Sequence, residues 1–407
     1  HLTLSPARET DSIMAAICFY FQVHQPYRLK NYSFFKIGKD HAYEATAQNV
    51  EILNRVSDLC YLPANAMMYK LIQENEGRFK ITYSITGTCI EQLHRHRPDV
   101  IDSFRRLAET GCVEFLSETY YHSLASLYSP TEFVRQVKLH EKAMLNILGV
   151  KTKVFRNTEL MYQNGLADLL DEMGYKMVLA EGGRKFVGAE STNQIFQSKN
   201  EKTKVLPRNF ILSDDIAFRF SDPTWSEYPL LADTFASWLH KVEDPNGCIN
   251  LFMDYETFGE HRKQETGIFD FMKHLPKQIL KDKLAHFATP SDLLKIKKTK
   301  PPVYDSPAWS SWADADKDAS AWTEDHMQRD ALRKIYALEP VVLKLGKPDI
   351  LDVWGKLQTS DHFYYMSTRY RNDATHQSFT PYNSPYDAYL NFMNVMSDFQ
   401  GILKAGS

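Results

Sequence analysis

Several things are scarce or missing in this 407-residue chain, and each absence removes a class of protein. Cysteine occurs five times, at Cys18, Cys60, Cys89, Cys112 and Cys248, an odd number, widely scattered and without a CxxC pair. That excludes a disulfide framework and a cysteine-held zinc, and makes a reducing cytoplasm the expected compartment. Positive charge is not in surplus: 48 Lys and Arg stand against 51 Asp and Glu, for a formal net charge of -3. Neither nucleic acid nor an anionic membrane surface is therefore an expected partner. No apolar run approaches the roughly 18 to 20 residues that a bilayer-spanning helix needs. Internal repeats and low-complexity tracts are absent. Residues 1–13 lack the apolar middle of a secretion signal, so His1–Ile13 reads as a disordered or appended leader with the native start near Met14. No HxxxH grouping offers a metal site, and the HxH pair of His94 and His96 sits in a basic stretch, LHRHR, that reads as solvated. Neither a metal nor another cofactor is expected.

What is present is ordinary globular composition, 43% hydrophobic and 24% charged, long enough for one large domain and an appendage. Through the first two thirds, short apolar runs rich in β-formers alternate with longer stretches of helical periodicity. This is the pattern of an α/β protein with a parallel sheet closed into a barrel. The expected strands are Ala16–Val23, Arg78–Thr86, Val113–Ser117, Lys153–Arg156, Met177–Ala180, Phe210–Leu212, Cys248–Met253 and Leu284–Ala288. Helices are expected at Ala45–Glu76, long enough for two helices or an insertion, and at Asp99–Thr110, Pro130–Leu148 and Asn164–Met173. Residues 14–300 would form the barrel. The basic, proline-ended Lys295–Pro302 reads as a linker. Residues 301–407 would form a mostly helical subdomain, with helices in Asp330–Trp354 and Asn383–Phe399 and an aromatic stretch at Ser360–Tyr370.

At the downstream ends of these runs the chain turns polar almost every time, at His24, Thr86, Glu118, Glu159, Glu181, Asp214 and Asp254. In a β/α barrel those ends meet on one face, where active sites of this architecture are built. In FQVHQPY, Pro26 stops the strand and leaves His24 at its end. His24 could also be a structural histidine bonded to a loop carbonyl, or a metal ligand. In VFRNTELMY, Glu159 follows a short strand, and its neighbours Arg156 and Asn157 carry donors that could keep a carboxylate ionised, as a nucleophile requires. A helix cap is the alternative reading there. In INLFMDYETFGEH the strand runs into Asp254 and Glu256, two apart and so on one face. Their repulsion would raise one pKa, as a general acid needs, unless the pair is an ordinary acidic junction between strand and loop. Trp225, Trp309, Trp312 and Trp322 are flanked by polar residues and suit a groove that stacks sugar rings.

Together these stretches resemble glycoside hydrolase family 57, a family of retaining α-glucan-active enzymes. The resemblance runs from Ile17 to Phe399. It is carried in order by FQVHQPYRL (Phe21–Leu29), GTCIE (Gly87–Glu91), EFLSETYYHSL (Glu114–Leu124), FRNTELMY (Phe155–Tyr162), MDYETFGEH (Met253–His261), SWADADKDASAW (Ser311–Trp322) and DHFYYMST (Asp361–Thr368). It implies a (β/α)7 barrel with a C-terminal helical subdomain, Glu159 as nucleophile and Asp254 as general acid/base, about 5 to 5.5 Å apart. His24, Gln25, Glu91, Glu118, His122 and Glu256 would bind substrate, and Asp318 and Trp322 would come from the helical part to close the groove. After Trp322 the chain reads TEDHMQ where relatives often have a glycine-asparagine pair, a departure confined to that loop's substrate contacts. The implied reaction is hydrolysis of α-1,4-glucosidic bonds in starch, glycogen or maltooligosaccharides. Its rivals are a 4-α-glucanotransferase or branching enzyme, a catalytically silent glucan-binding protein, and a metal-dependent hydrolase using His24 with Asp254.

Overall fold

The computed structural model describes residues 15–242, 247–297, 300–369 and 379–406. The expected leader at 1–13 lies outside the described residues, as do 298–299 of the expected linker and Tyr370 of the aromatic stretch.

Among the described residues ten strands follow one another: β1 (Ala15–Val23), β2 (Ile81–Ile85), β3 (Val113–Phe115), β4 (Phe155–Arg156), β5 (Met177–Glu181), β6 (Phe196–Ser198), β7 (Lys204–Arg208), β8 (Cys248–Asp254), β9 (Ala285–Phe287) and β10 (Val303–Tyr304). β8, β1, β2 and β3 pair in parallel, and so do β4, β5 and β7. A parallel bridge between Ser117 and Phe155 joins the two sets on one side. On the other, Asn209 N donates to Asn250 O at 2.9 Å and Asn250 Nδ2 to Pro207 O at 2.9 Å. Seven strands thus close a (β/α)7 barrel. β9 is not an eighth member, because it pairs with Ala15–Ile17 of β1 while β2 takes Tyr20–Val23 further along. β6 runs antiparallel to β7 and carries β10 as a small outer extension.

One strand departs from the expectation. Phe210–Leu212 opens a short helix, Phe210–Asp214, because the Asn209 side chain accepts from Leu212 N and caps it. The barrel strand is Lys204–Arg208, five residues upstream, so Arg208, not Asp214, occupies the strand end. The segment Gly87–His96, for which no element was expected, is a helix started by the Thr86 side chain accepting from Cys89 N. The expected helix Ala45–Glu76 is Thr46–Val56 and Leu62–Glu74 joined by a wider turn at Ser57–Tyr61.

Strand alternation sorts the side chains. Ile17, Phe19, Phe21 and Val23 of β1 pack outward on the helices, with Tyr83, Ile249 and Leu251 in the same cluster. Ala16, Cys18 and Tyr20 face the interior with Leu179, Leu206 and Phe252. Continued past the apolar layer, the inward parity delivers Gln22, Ser84, Glu118, Arg156, Glu181, Arg208 and Asp254 to one end of the barrel. All five cysteines are buried, and no disulfide joins them.

The C-terminal helices His326–Ala337, Glu339–Leu345, Pro348–Leu357, Ser360–Tyr364 and Pro385–Gly406 share one apolar cluster with Phe155, Tyr162 and Val178 of the barrel's outer face. Trp354, fully buried there, donates its indole N–H to Ile335 O at 2.8 Å. Among the described residues no helix is long and apolar enough to cross a membrane.

Candidate active site

The polar end of the barrel begins with a floor. Tyr20 Oη lies 2.5 Å from Ser84 Oγ and donates to Gln22 Oε1 at 3.0 Å, and Gln22 Nε2 points at both oxygens of Glu118 at 3.4 Å. Above it stands His122, whose Nε2 bonds Glu159 Oε1 at 2.9 Å and whose Nδ1 is 4.0 Å from Glu118 Oε2. Burial alone would disfavour the imidazolium, but the Glu118 and Glu159 carboxylates outweigh it and push the His122 pKa up to about 9. The ring is therefore a cation at neutral pH.

Glu159 sits in a tight turn, Thr158–Leu160, directly after β4. Its backbone is left-handed, with φ 55° at Glu159 and 53° at Leu160, and His122 opposite has φ 51°. Three adjoining non-glycine residues in this region are a costly arrangement, of the kind that clusters at functional sites. The turn is held by Asn157 Nδ2 donating to Met161 O at 3.0 Å and by a Thr119–Thr158 hydroxyl contact at 2.8 Å. Trp312 Nε1 donates to Glu159 Oε2 at 2.6 Å, so each carboxylate oxygen has its own donor. Burial pushes the acidity of Glu159 one way, but the hydrogen bond and charge of His122, then Arg156 and Trp312, push it further the other, and its pKa lies below the usual range.

Asp254 ends β8 and shows the opposite displacement. Burial raises its pKa, the Glu159 charge adds to this, and His261, Arg156 and His122 oppose it. Glu256 follows in the turn Tyr255–Thr257 and accepts from Tyr61 Oη at 2.5 Å and His24 N at 3.3 Å. Burial and the nearby Asp254 charge raise it to about 8. A raised carboxyl favours folding fully below the ordinary Glu range, and that contribution is lost as pH climbs through the folded value. We expect Glu256→Gln to flatten a decline in melting temperature of the wild type between about pH 5 and 8; parallel pH profiles of both proteins would fail the expectation if they had equal slopes.

His24 completes the cluster. Its Nδ1 is 2.8 Å from Thr86 Oγ1, its Nε2 is 3.0 Å from Asp361 Oδ1, and its ring stacks on His122 at 4.0 Å. Burial and the His122 charge lower its pKa against the pull of Asp361, so a neutral His24 stacks on a charged His122. His24, His122 and Asp361 place possible ligand atoms within 4.8 Å of one another. A tetrahedral ion needs them about 3.4 Å apart. As they stand, three of the four imidazole nitrogens are in hydrogen bonds to Thr86, Asp361 and Glu159.

The remaining expected residues have contacts of their own. Glu91, on the helix Gly87–His96, is held by Tyr27 Oη at 2.6 Å and Tyr120 Oη at 2.8 Å. Gln25 is buried and accepts from Arg28 Nη2 at 3.1 Å. Asp318 accepts from Ser320 N and pairs with Ser310 at the base of a loop. Trp322, expected to close the groove, is turned inward at 2% exposure against Tyr364; the tryptophan that reaches Glu159 is Trp312. Asp214, displaced from a strand end, still bonds Arg208 Nη2 at 2.5 Å. Asp361 and His261 were given no role from the sequence, although both lie in stretches that carry the resemblance.

The profile described as Glycosyl hydrolase family 57 matches residues 18–305. This chain belongs to glycosyl hydrolase family 57. It is 40% identical over 401 residues to the "Putative alpha-amylase" of Methanocaldococcus jannaschii, covering 95% of this chain and 85% of that protein. Among solved structures, a family 57 branching enzyme of Thermococcus kodakaraensis is similar with a TM-score of 0.65 at 14% identity, over 86% of each chain. The alpha-amylase AmyC of Thermotoga maritima aligns with a TM-score of 0.63 at 13% identity, over 97% of this chain and 94% of its own. At such identities these two structures speak for the fold. Family membership makes the chain a glycosidase-class enzyme, and its barrel end is where the chemistry of that class has to be placed.

Proposed function

We propose that this family 57 enzyme cleaves α-1,4-glucosidic bonds of starch, glycogen or maltooligosaccharides with retention, Glu159 attacking and Asp254 serving as acid and then base. The observation that carries this is the opposite displacement of two carboxyl groups at one end of the barrel. Glu159 is kept ionised by its donors, while burial beside the Glu159 charge shifts Asp254 the other way, toward its protonated form. Such a pair divides the labour of glycoside cleavage. Glu159 attacks the anomeric carbon as Asp254 gives its proton to the departing oxygen. Once Glu159 becomes an ester its charge is gone, Asp254 is left ionised, and it can take a proton from the incoming water. His122, a cation against Glu159, offsets the negative charge before attack; His24, Asp361 and Glu256 surround the place where the sugar would sit.

A second reading has support in the relatives, whose descriptions include a branching enzyme and a 4-alpha-glucanotransferase of Thermococcus litoralis. If a sugar hydroxyl replaces water in the second step, the same groups carry out transfer. Incubation of the pure protein with maltoheptaose separates the two: shorter products alone are expected, and products longer than the substrate would establish transfer. Running the same assay in EDTA tests the metal alternative, for which activity would collapse; we expect it unchanged.

A further inference from the structure

Trp312 belongs to a hairpin-like loop, residues 310–318, that lies beyond the 18–305 family match. Ser310 bridges to both Asp318 and Tyr162, the latter three residues past Glu159, and Ser311 N donates to Lys317 O at 3.0 Å. The Glu159 carbonyl in turn accepts from Trp312 N at 3.2 Å and Ser311 Oγ at 2.9 Å. Loop and turn are thus bound through the backbone before their side chains meet. The far arm is fastened by Lys317, whose Nζ donates to Trp312 O at 3.3 Å and pairs with Glu181 Oε2 at 3.3 Å.

Two guanidiniums lie over the Trp312 ring, Arg156 at 4.7 Å and Arg208 at 5.7 Å from its centroid. Arg208 has hydrogen bonds to Phe252 O, Glu181 and Asp214. Arg156 has none: it is fully buried, and none of its three nitrogens finds a hydrogen-bond partner among the described residues. Glu118 Oε2 is 3.8 Å from Nη1, and the Tyr20 ring is 5.8 Å away. A guanidinium buried with its donors open is costly as structure alone. Over an indole it withdraws charge from the ring and makes the N–H a stronger donor.

We propose that Trp312 is a positioning residue for Glu159: its indole N–H, polarised by Arg156 and Arg208, fixes one carboxylate oxygen while His122 fixes the other. The inference rests on the reading of Glu159 as nucleophile. It assigns the loop after residue 305 a part in the chemistry, although Trp312 need never touch the sugar.

Trp312→Phe keeps an aromatic ring beneath the guanidiniums and removes the N–H along with part of the indole's area. We expect kcat to fall about 10- to 100-fold, the span of one hydrogen bond to a charged group, with KM within about threefold. The acid limb of kcat/KM should move to higher pH, because a donor to the ionised form is lost. The groups facing Glu159 that could also shape that limb are His122, Arg156 and Asp254, with Glu118 and Asp361 behind His122; all are unchanged in the variant. Lys317→Met, which loosens the loop at its far arm, should move both quantities less and in the same direction. Thermal melts would verify that both variants are folded. A Trp312→Phe enzyme with kcat within twofold of wild type and an unmoved acid limb overturns the proposal. Glu159→Gln measured alongside tells the two failures apart: if it is inactive, only the role of Trp312 falls, and if it is active, the reading of the site falls with it.

Discussion

Glu159→Gln is expected to lower kcat on soluble starch by about three to five orders of magnitude, because it replaces the attacking carboxylate with a neutral, poorly nucleophilic amide of nearly the same shape. Asp254→Asn should fail in a different way. With a sugar leaving group the first step stalls for want of a proton, costing about two to four orders. With α-glucosyl fluoride the leaving group departs without protonation, so the first step is spared, while the second still lacks its base. The glucosyl-enzyme should then accumulate, and peptide mapping by mass spectrometry should find the added hexose on the peptide that contains Glu159. A hexose on another residue would displace Glu159 from the role. Full activity in both variants would remove the pair from the chemistry altogether, and a protein inactive in wild-type form that still binds glycogen would be the silent glucan-binding alternative.

The barrel was readable in the chain where its strands are continuous buried apolar runs. AAICFYFQV and CINLFMD are buried along almost their whole length, as strands of a parallel sheet covered on both faces should be. The β7 strand escaped because KVLPR ends in proline and arginine and offers little apolar signal, whereas the FIL that follows does. Local capping by Asn209 decided against a strand there. The helix Gly87–His96 was hidden by its opening glycine, and Gly87 is there for space: an added Cβ would collide with the Tyr120 ring.

At the site, Glu159, Asp254, Glu256, His24, His122 and Glu118 could all be named, since each ends an apolar run or lies in a stretch with a strong resemblance. Their partners could not. Trp312 meets Glu159 across 153 positions and Asp361 meets His24 across 337, and no local pattern reports contacts of that separation. Arg156 did leave a signal, since counting inward parity past the last apolar residue of its strand places it in the barrel mouth; Arg208 joins it there, beside Glu118, Glu181 and Asp254, only once β7 is drawn at Lys204–Arg208. Around the mouth buried cations alternate with the carboxylates, and the field at each acid is set by which cation stands next to it.

Gly259→Ala should be among the most destabilising single substitutions in the protein, by about 3 to 5 kcal/mol. Gly259 has φ 107°, where a side chain is strained whatever the space, and its added Cβ would overlap the carbonyl oxygen of Leu59 and stand 2.9 Å from the carbonyl carbon. The obstacle is backbone, in the turn Ser57–Tyr61, so no rotamer change relieves it. That turn also holds the loop after Asp254, through Cys60 Sγ donating to Tyr255 O at 3.1 Å and Tyr61 Oη donating to Glu256. Pushing the two segments apart should therefore cost activity as well as stability, by releasing Glu256 and shifting Asp254 at the strand end. Gly38→Ala supplies the control: φ is 76° but nothing lies within 4 Å of the new Cβ, so only the conformational cost of about 1 to 2 kcal/mol remains. Urea midpoints of the two variants measure the difference. Equal losses would mean that the approach of Leu59 to Gly259 does not constrain the loop, and the placement of Glu256 would then depend on the Tyr61 and His24 hydrogen bonds alone.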